Sequence, residues 1–365
     1  MTQSQAHFFL GAAAPGGFHS FFRELYDPLD GWYACLLKGG PGTGKSSLLR
    51  AVADGLDARG ISTQRIACAA DPQSLDAVIV PQKRVVLADA TAPHILEPQY
   101  PGAADEIVHL GAFWDAAALR EKRGEILALS AEIRCSRRRC ERFLSAAAAL
   151  GADIRRLAQP FLDAGKIDRY AQRLATRDFP APCGEIGREA QRFLSAPTPQ
   201  GITTLWAGMA QNCDKIYVLD DPHGAVSRRL LEALRRYALG NGLDVICCPC
   251  PLAPQDGTEH LLIPALRLGF FTANRFHPAS FPQTQTVTLR AARFQDNDAL
   301  RSIRERMHFT RRAQKELLRE ASAALENAKE IHGALESIYI AAMDFSQHEM
   351  LAEKLLRETL TRPDF

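Results

Sequence analysis

With 365 residues, 46% of them apolar, the chain is long enough for two ordinary domains with packed cores. Its 44 lysines and arginines face 42 acidic residues, and a net charge of +2 gives no global attraction to nucleic acid or to an anionic membrane. No apolar run approaches the ~20 residues of a membrane span, and residues 1–17 lack the basic flank and apolar core of a secretion signal, so a cytoplasmic protein is expected.

The elements begin with a short apolar segment, Phe9-Leu10-Gly11-Ala12, followed by Pro15 and Gly17. Residues 32–38 read as a buried β-strand and residues 45–58 as an amphipathic helix, joined by a glycine-bearing loop. Residues 63–68 form a further extended segment, and residues 77–80 and 84–89 a hairpin turning at Pro81-Gln82-Lys83. From 115 to 150 helical periodicity runs with Gly124 as its one breaker, and a second helix follows, so a helical hairpin is predicted over about 115–178. Pro180, Pro182, Gly184 and Gly187 then crowd into a boundary.

Beyond the boundary the order repeats. Phe193-Leu194-Ser195-Ala196 with Pro199 and Gly201 matches the opening segment at a shift of 184. A strand over 215–219 and a helix over 228–239 follow at 182, and Leu261-Leu262-Ile263-Pro264 with Arg267 and His277 matches Val78-Ile79-Val80-Pro81 with Arg84 and His94 at 183. Phe294 and Asp296 match Phe113 and Asp115 at 181, opening a helical stretch over 296–332 and a second predicted hairpin over about 296–360. Shifts this steady predict a tandem duplication in an α/β protein: two three-layer sandwiches of the P-loop NTPase type, residues 1–185 and 186–365, each carrying its own hairpin.

The run Gly39-Gly40-Pro41-Gly42-Thr43-Gly44-Lys45-Ser46, extended by Ser47, joins the strand to the helix of the first copy. Glycines let the backbone bend so that successive amides converge on phosphate oxygens. Lys45 would reach the β and γ phosphates, the Ser46 hydroxyl would ligate magnesium, and the helix N-terminus adds its dipole. The pattern predicts binding of ATP or GTP with Mg2+, without choosing between the bases. A magnesium site needs a carboxylate at the end of a second buried strand, and Asp89 ends the run Arg84-Val85-Val86-Leu87-Ala88-Asp89. No glutamate follows Asp89, which leaves Asp71, Asp76 and Glu97 as candidates for activating water.

In the second copy, Asp221, Val226, Ser227 and Arg228 stand opposite Gly39, Gly44, Lys45 and Ser46, so that loop carries an acid and lacks the lysine. Thr272, Ala253 and Thr258 stand opposite Asp89, Asp71 and Asp76. The second copy is therefore expected to be an inactive structural or regulatory partner, with Arg228 or Arg229 left as a candidate arginine finger toward the first. His94 has a counterpart in His277, which marks it as a packing or turn residue rather than a base. Of nine cysteines, the tightest group, Cys247-Cys248-Pro249-Cys250, lacks a second pair at zinc-ligand spacing, and reduced thiols are expected.

Leu37 to Ser46, with Asp89-Ala90-Thr91-Ala92-Pro93-His94, Pro101-Gly102 and the opening Phe8-Phe9, resembles a bacterial family of tandem P-loop ATPases of about this length. The resemblance covers essentially the whole chain and implies ATP binding and hydrolysis. Because that family carries a P-loop in each half, residues 221–228 depart from its pattern. The leading expectation is an ATPase active in the first copy. A small-molecule kinase is a second reading, with Arg134, Arg137, Arg138, Arg139 and Arg142 closing as a lid, although a charge run on a long helix is usually a solvated face. A nucleotide-sensing scaffold or nucleic-acid binder using the same helix is a third.

Overall fold

The computed structural model of the chain describes residues 7–182, 184–279, 281 and 284–364, so residues 1–6 of the opening segment and Cys183 lie outside the described residues. The N-terminal half runs through β1 (Phe8–Phe9), β2 (Gly11–Ala14), β3 (Gly17–Ser20), β4 (Tyr33–Lys38), α1 (Lys45–Asp57), β5 (Gln64–Ala67), β6 (Leu75–Val80), β7 (Val85–Asp89) and β8 (Asp105–His109). Helices α2 (Ala116–Glu121), α3 (Arg123–Ala158) and α4 (Ala164–Asp178) follow. The C-terminal half opens with β9 (Glu189–Gln191), β10 (Ser195–Thr198), β11 (Gly201–Thr204) and α5 (Trp206–Asn212). It continues through β12 (Lys215–Asp220), α6 (Ala225–Gly240), β13 (Val245–Pro249), β14 (Thr258–Ile263), β15 (Leu268–Ala273) and β16 (Gln285–Arg290). It closes with α7 (Asn297–Arg301), α8 (Arg304–Ala341) and α9 (His348–Thr361).

These strands build two six-stranded mixed sheets with the same order, β1-β5-β6-β7-β4-β8 and β9-β13-β14-β15-β12-β16. Strands joined through helices can lie parallel, whereas tight turns force antiparallel pairing. Accordingly β4 and β12 are parallel to both neighbours, and the β5-β6-β7 and β13-β14-β15 meanders are antiparallel. Pro81 and Pro264 start the two meander turns, and Arg84 and Arg267 end them, both at φ +47°.

A β-bulge falls at one place in each meander. Ile66 pairs with Ala77 and Ala67 with Leu75, which leaves Asp76 as the extra residue. Cys248 pairs with His260 and Pro249 with Thr258, which leaves Glu259. The counterpart of Asp76 is therefore Glu259 and not Thr258: the shift is 182 from Ile66 to Cys248 and 183 from Ala77 to His260, so the extra residue lies in the connection before β14 and not in the bulge that both halves share.

Alternate residues of each strand face two different cores. Cys35, Leu37, Val78, Val80, Val85 and Leu87 turn toward α1, while Tyr217, Leu219, Leu261, Ile263 and Phe270 turn toward α6. Their neighbours Leu36, Ile79, Val86 and Ala88 turn inward and meet Ile216, Val218, Leu262 and Phe271 of the other sheet. The layers are thus helix, sheet, sheet, helix. At the centre Phe9 and Phe193 exchange backbone hydrogen bonds of 2.8 Å in both directions.

The helical segments do not close as the predicted hairpins over 115–178 and 296–360. The long helices α3 and α8, of 36 and 38 residues, pack on each other and bury Cys140, Leu144 and Ala147 against Leu318, Ala321 and Ala324. Each short helix that follows then docks on the opposite half. Ile167, Ala171 and Leu174 of α4 share a core with Leu230, Leu231 and Leu234 of α6, and Leu355 of α9 with Leu48, Leu49 and Leu56 of α1. The physical reason is that α1 and α6 each present an apolar face beyond their own sheet, and the arm of the other half removes it from water. Among the described residues no helix is long and apolar enough to cross a membrane, and the eight described cysteines are free thiols.

Candidate functional site

β4 delivers the glycine loop and α1 carries it away. Gly42 and Gly44 sit at φ +68° and +75°, a region that side chains disfavour, so both glycines are required by the backbone. Lys45 opens α1 and folds its ammonium onto the loop, donating to the carbonyls of Gly39 at 3.0 Å and Gly40 at 2.7 Å. Its Nζ also lies 3.6 Å from Oδ2 of Asp89, which β7 brings alongside because Leu37 and Asp89 are register partners. The Ser46 hydroxyl accepts from the amide of Leu75 at 2.8 Å, tying α1 to the start of β6. Thr91 locks the second strand to the loop, donating to the Gly39 carbonyl at 2.8 Å, while its amide donates to Asp89 at 2.8 Å. Burial raises the Asp89 carboxyl above its ordinary value, although Lys45 pulls the other way.

The bulge aims Asp76 into the same place. Burial, and then the charge of Asp89, push its carboxyl up to about 7. Nε2 of His94 lies 3.2 Å from Oδ2 of Asp76. Burial, followed by the charges of Arg137 and Lys45, lowers His94 to about 4, so the imidazole is neutral at physiological pH and the contact is not an ion pair. His94 itself is wedged between Phe18 and Phe22, with ring centroids 5.1 and 4.4 Å away. The other two candidate acids are engaged elsewhere: Asp71 pairs with Lys329 at 3.1 Å and the exposed Glu97 with Lys38 at 2.7 Å. Of the arginine run on α3, Arg137 is the member whose charge reaches His94 and Cys68, and Arg139 pairs with Glu320 at 3.7 Å.

The loop is roofed by the arm of the C-terminal half. A Cβ on Gly42 would meet the Glu336 carbonyl at 2.8 Å, and one on Gly40 would meet Trp114 at 3.2 Å and Tyr339 at 3.3 Å. His348 lies against Gly44. The Glu336 carboxyl is held below its ordinary value, first by a hydrogen bond from His332 and also by the amide of Gly42 and the charge of Lys45. The negative charge of Glu336 is thus held beside the glycine loop.

The corresponding loop of the C-terminal half is filled from within. α6 already starts at Ala225, so the turn after β12 is shorter than Gly39–Gly44, and Gly224 caps the helix at φ +70°. The Asp221 carboxylate, 1% exposed, accepts from the amides of His223 at 3.0 Å and Ser227 at 2.8 Å. Amides spent on an internal carboxylate are not available to a phosphate. Arg229 pairs with Asp168 of α4 at 2.6 Å and Arg228 with Asp256 at 3.6 Å, so both candidate fingers have their partners within the C-terminal core and the α4 that docks on it.

Sequence reasoning named the loop, Asp89 and Asp76, but it set His94 aside and missed Trp114, Glu336, Tyr339 and His348. The last three stand some three hundred residues from the loop, on helices whose periodicity reports burial and not what lies opposite. Comparison with protein-family models, curated proteins and solved structures finds no match for this chain.

Proposed function

We propose that the N-terminal half binds and hydrolyses ATP or GTP with Mg2+, and that the C-terminal half is a duplicated P-loop-type copy retained as a partner without its own nucleotide. The observation that carries this reading is the Lys45–Asp89 pair, 3.6 Å apart at the mouth of a loop with two left-handed glycines. The likeness of residues 37–46 and 89–94 to the tandem P-loop ATPases supports it, as do the matching strand orders of the two sheets. Lys45 exchanges its loop carbonyls for phosphate oxygens when nucleotide enters, which places a positive charge where the transferred group gathers negative charge. Ser46 and Asp89 offer the hard oxygen donors that suit Mg2+, which when bound neutralises charge on the β and γ phosphates. Asp76, held at about 7, is the acid best poised to take the proton of attacking water.

Lys45→Ala removes charge-assisted bonds worth ~1.5–3 kcal/mol each, so nucleotide affinity should drop on the order of 100-fold, read by calorimetric titration. Unchanged affinity would place the nucleotide elsewhere. Arg137, exposed on α3 with its charge reaching His94, favours a second reading, transfer of the phosphoryl group to a metabolite. Turnover that outpaces water hydrolysis when metabolites are added would select it.

A further inference from the structure

Behind the filled loop of the C-terminal half, three side chains converge that the nucleotide reading does not use. Glu259, His260 and His277 each offer one ligand atom, and these atoms all lie within 4.8 Å of one another. Nδ1 of His277 is 3.6 Å from Oε1 of Glu259, and the two imidazole centroids are 5.7 Å apart with rings crossed at 78°. Oε2 of Glu259 and both nitrogens of each histidine are buried without a hydrogen-bond partner among the described residues. One such atom costs ~1–3 kcal/mol, and native interiors hold few of them, so a cluster of this kind asks for a shared ligand.

The bulge creates the convergence. On a regular strand the neighbours Glu259 and His260 would point to opposite faces, and the extra residue re-aims them. The N-terminal half has the same bulge at Asp76, but Ala77 occupies the register position of His260, so the corresponding group there is Cys68, Asp76 and His94, with one imidazole. His260 is wholly buried and walled by Trp206 and Phe271, with centroids 5.5 and 5.9 Å away, which fixes its ring. Glu259 and His277 also border a cavity of about 90 Å³ that gives an ion a way in. Arg228, whose charge acts on Glu259, lies 3.6 Å from Asp256, which offsets it.

We propose that Glu259, His260 and His277 bind one divalent transition-metal ion through a carboxylate oxygen and two imidazole nitrogens. Such a donor set suits Zn2+, Co2+ or Fe2+ and not Mg2+ or Ca2+, and three protein ligands leave a coordination position facing the cavity. The test uses tag-free full-length protein, stripped with a chelator and titrated with Zn2+ and, for its visible spectrum, Co2+. One equivalent should bind at this site per chain. His260→Ala and His277→Gln should each lose that equivalent or weaken it ~100-fold or more, no less than removing a hydrogen-bond partner of a metal ligand does. Asp76→Asn, in the other half, should retain it. Absence of binding by the wild-type protein would overturn the proposal, as would equal stoichiometry and affinity in the two histidine variants. Should these variants fail to fold by circular dichroism, Glu259→Gln read against wild type decides the same question.

Discussion

Lys45, Asp89, Asp76 and His94 form one electrostatic unit, in which the ammonium offsets one carboxylate and the second stays partly protonated because it is buried beside the first. A base works unprotonated, so with Asp76 at about 7 turnover should climb as pH rises through that value and level off above it. Asp76→Asn should lower kcat by ~10²–10⁴ and flatten this acid limb while nucleotide affinity is kept, measured as a pH–rate profile with parallel binding titrations. An intact limb in the variant would remove Asp76 from the reaction. Glu336 acts in the opposite sense under the proposed reading, since its negative charge beside Gly42 and Lys45 would oppose that of a phosphate. Glu336→Gln should therefore tighten nucleotide binding by up to about tenfold, the weight of ~1.4 kcal/mol. Weaker binding in that variant would instead make Glu336 part of the productive site.

Among the elements, the exchanged helices α4 and α9 set the stability of the surfaces they cover. Asp178, at the end of α4, accepts from Lys215 at 3.0 Å and from the Tyr217 hydroxyl at 2.7 Å, both on β12 of the other half. Burial alone would raise its carboxyl, but the hydrogen bonds from Arg177, Tyr217 and Lys215 outweigh burial and hold it at about 2, below the ordinary 3.8. A depressed carboxyl stabilises the fold above its unfolded value, and that stability is lost as pH falls toward the folded one. Asp178→Asn should cost ~1–3 kcal/mol in urea unfolding at neutral pH, and the gap from wild type should close between about pH 4 and 2. A gap that persists below pH 2 would mean that packing, not the charge, is what the substitution removes.

For the whole molecule, the crossing of the arms makes neither half complete. A separate N-terminal half would leave α1 without α9, and a separate C-terminal half would leave α6 without α4, each baring Leu and Val side chains now fully buried. Residues 1–185 or 186–365 expressed alone should aggregate or lack cooperative unfolding, and the two co-expressed should purify together. A monomeric half that unfolds cooperatively would show that the exchanged helices are not needed.

What is local was legible in the sequence. The glycine turn between β4 and α1, the meander turn at Pro81, the helix starts at Asp115 and Asp296 and the long helices follow from backbone conformation and periodicity within a few residues. The matched order of the two halves was legible too, because spacing survives where side chains diverge. Only tertiary structure decided that bulges re-aim Asp76 and Glu259, that Asp76 meets His94, that Asp221 fills the second loop, and that Glu336 and His348 roof the first. Each depends on a bulge that re-aims side chains, or on which apolar faces exclude water together across the chain, and neither leaves a mark in nearby residues.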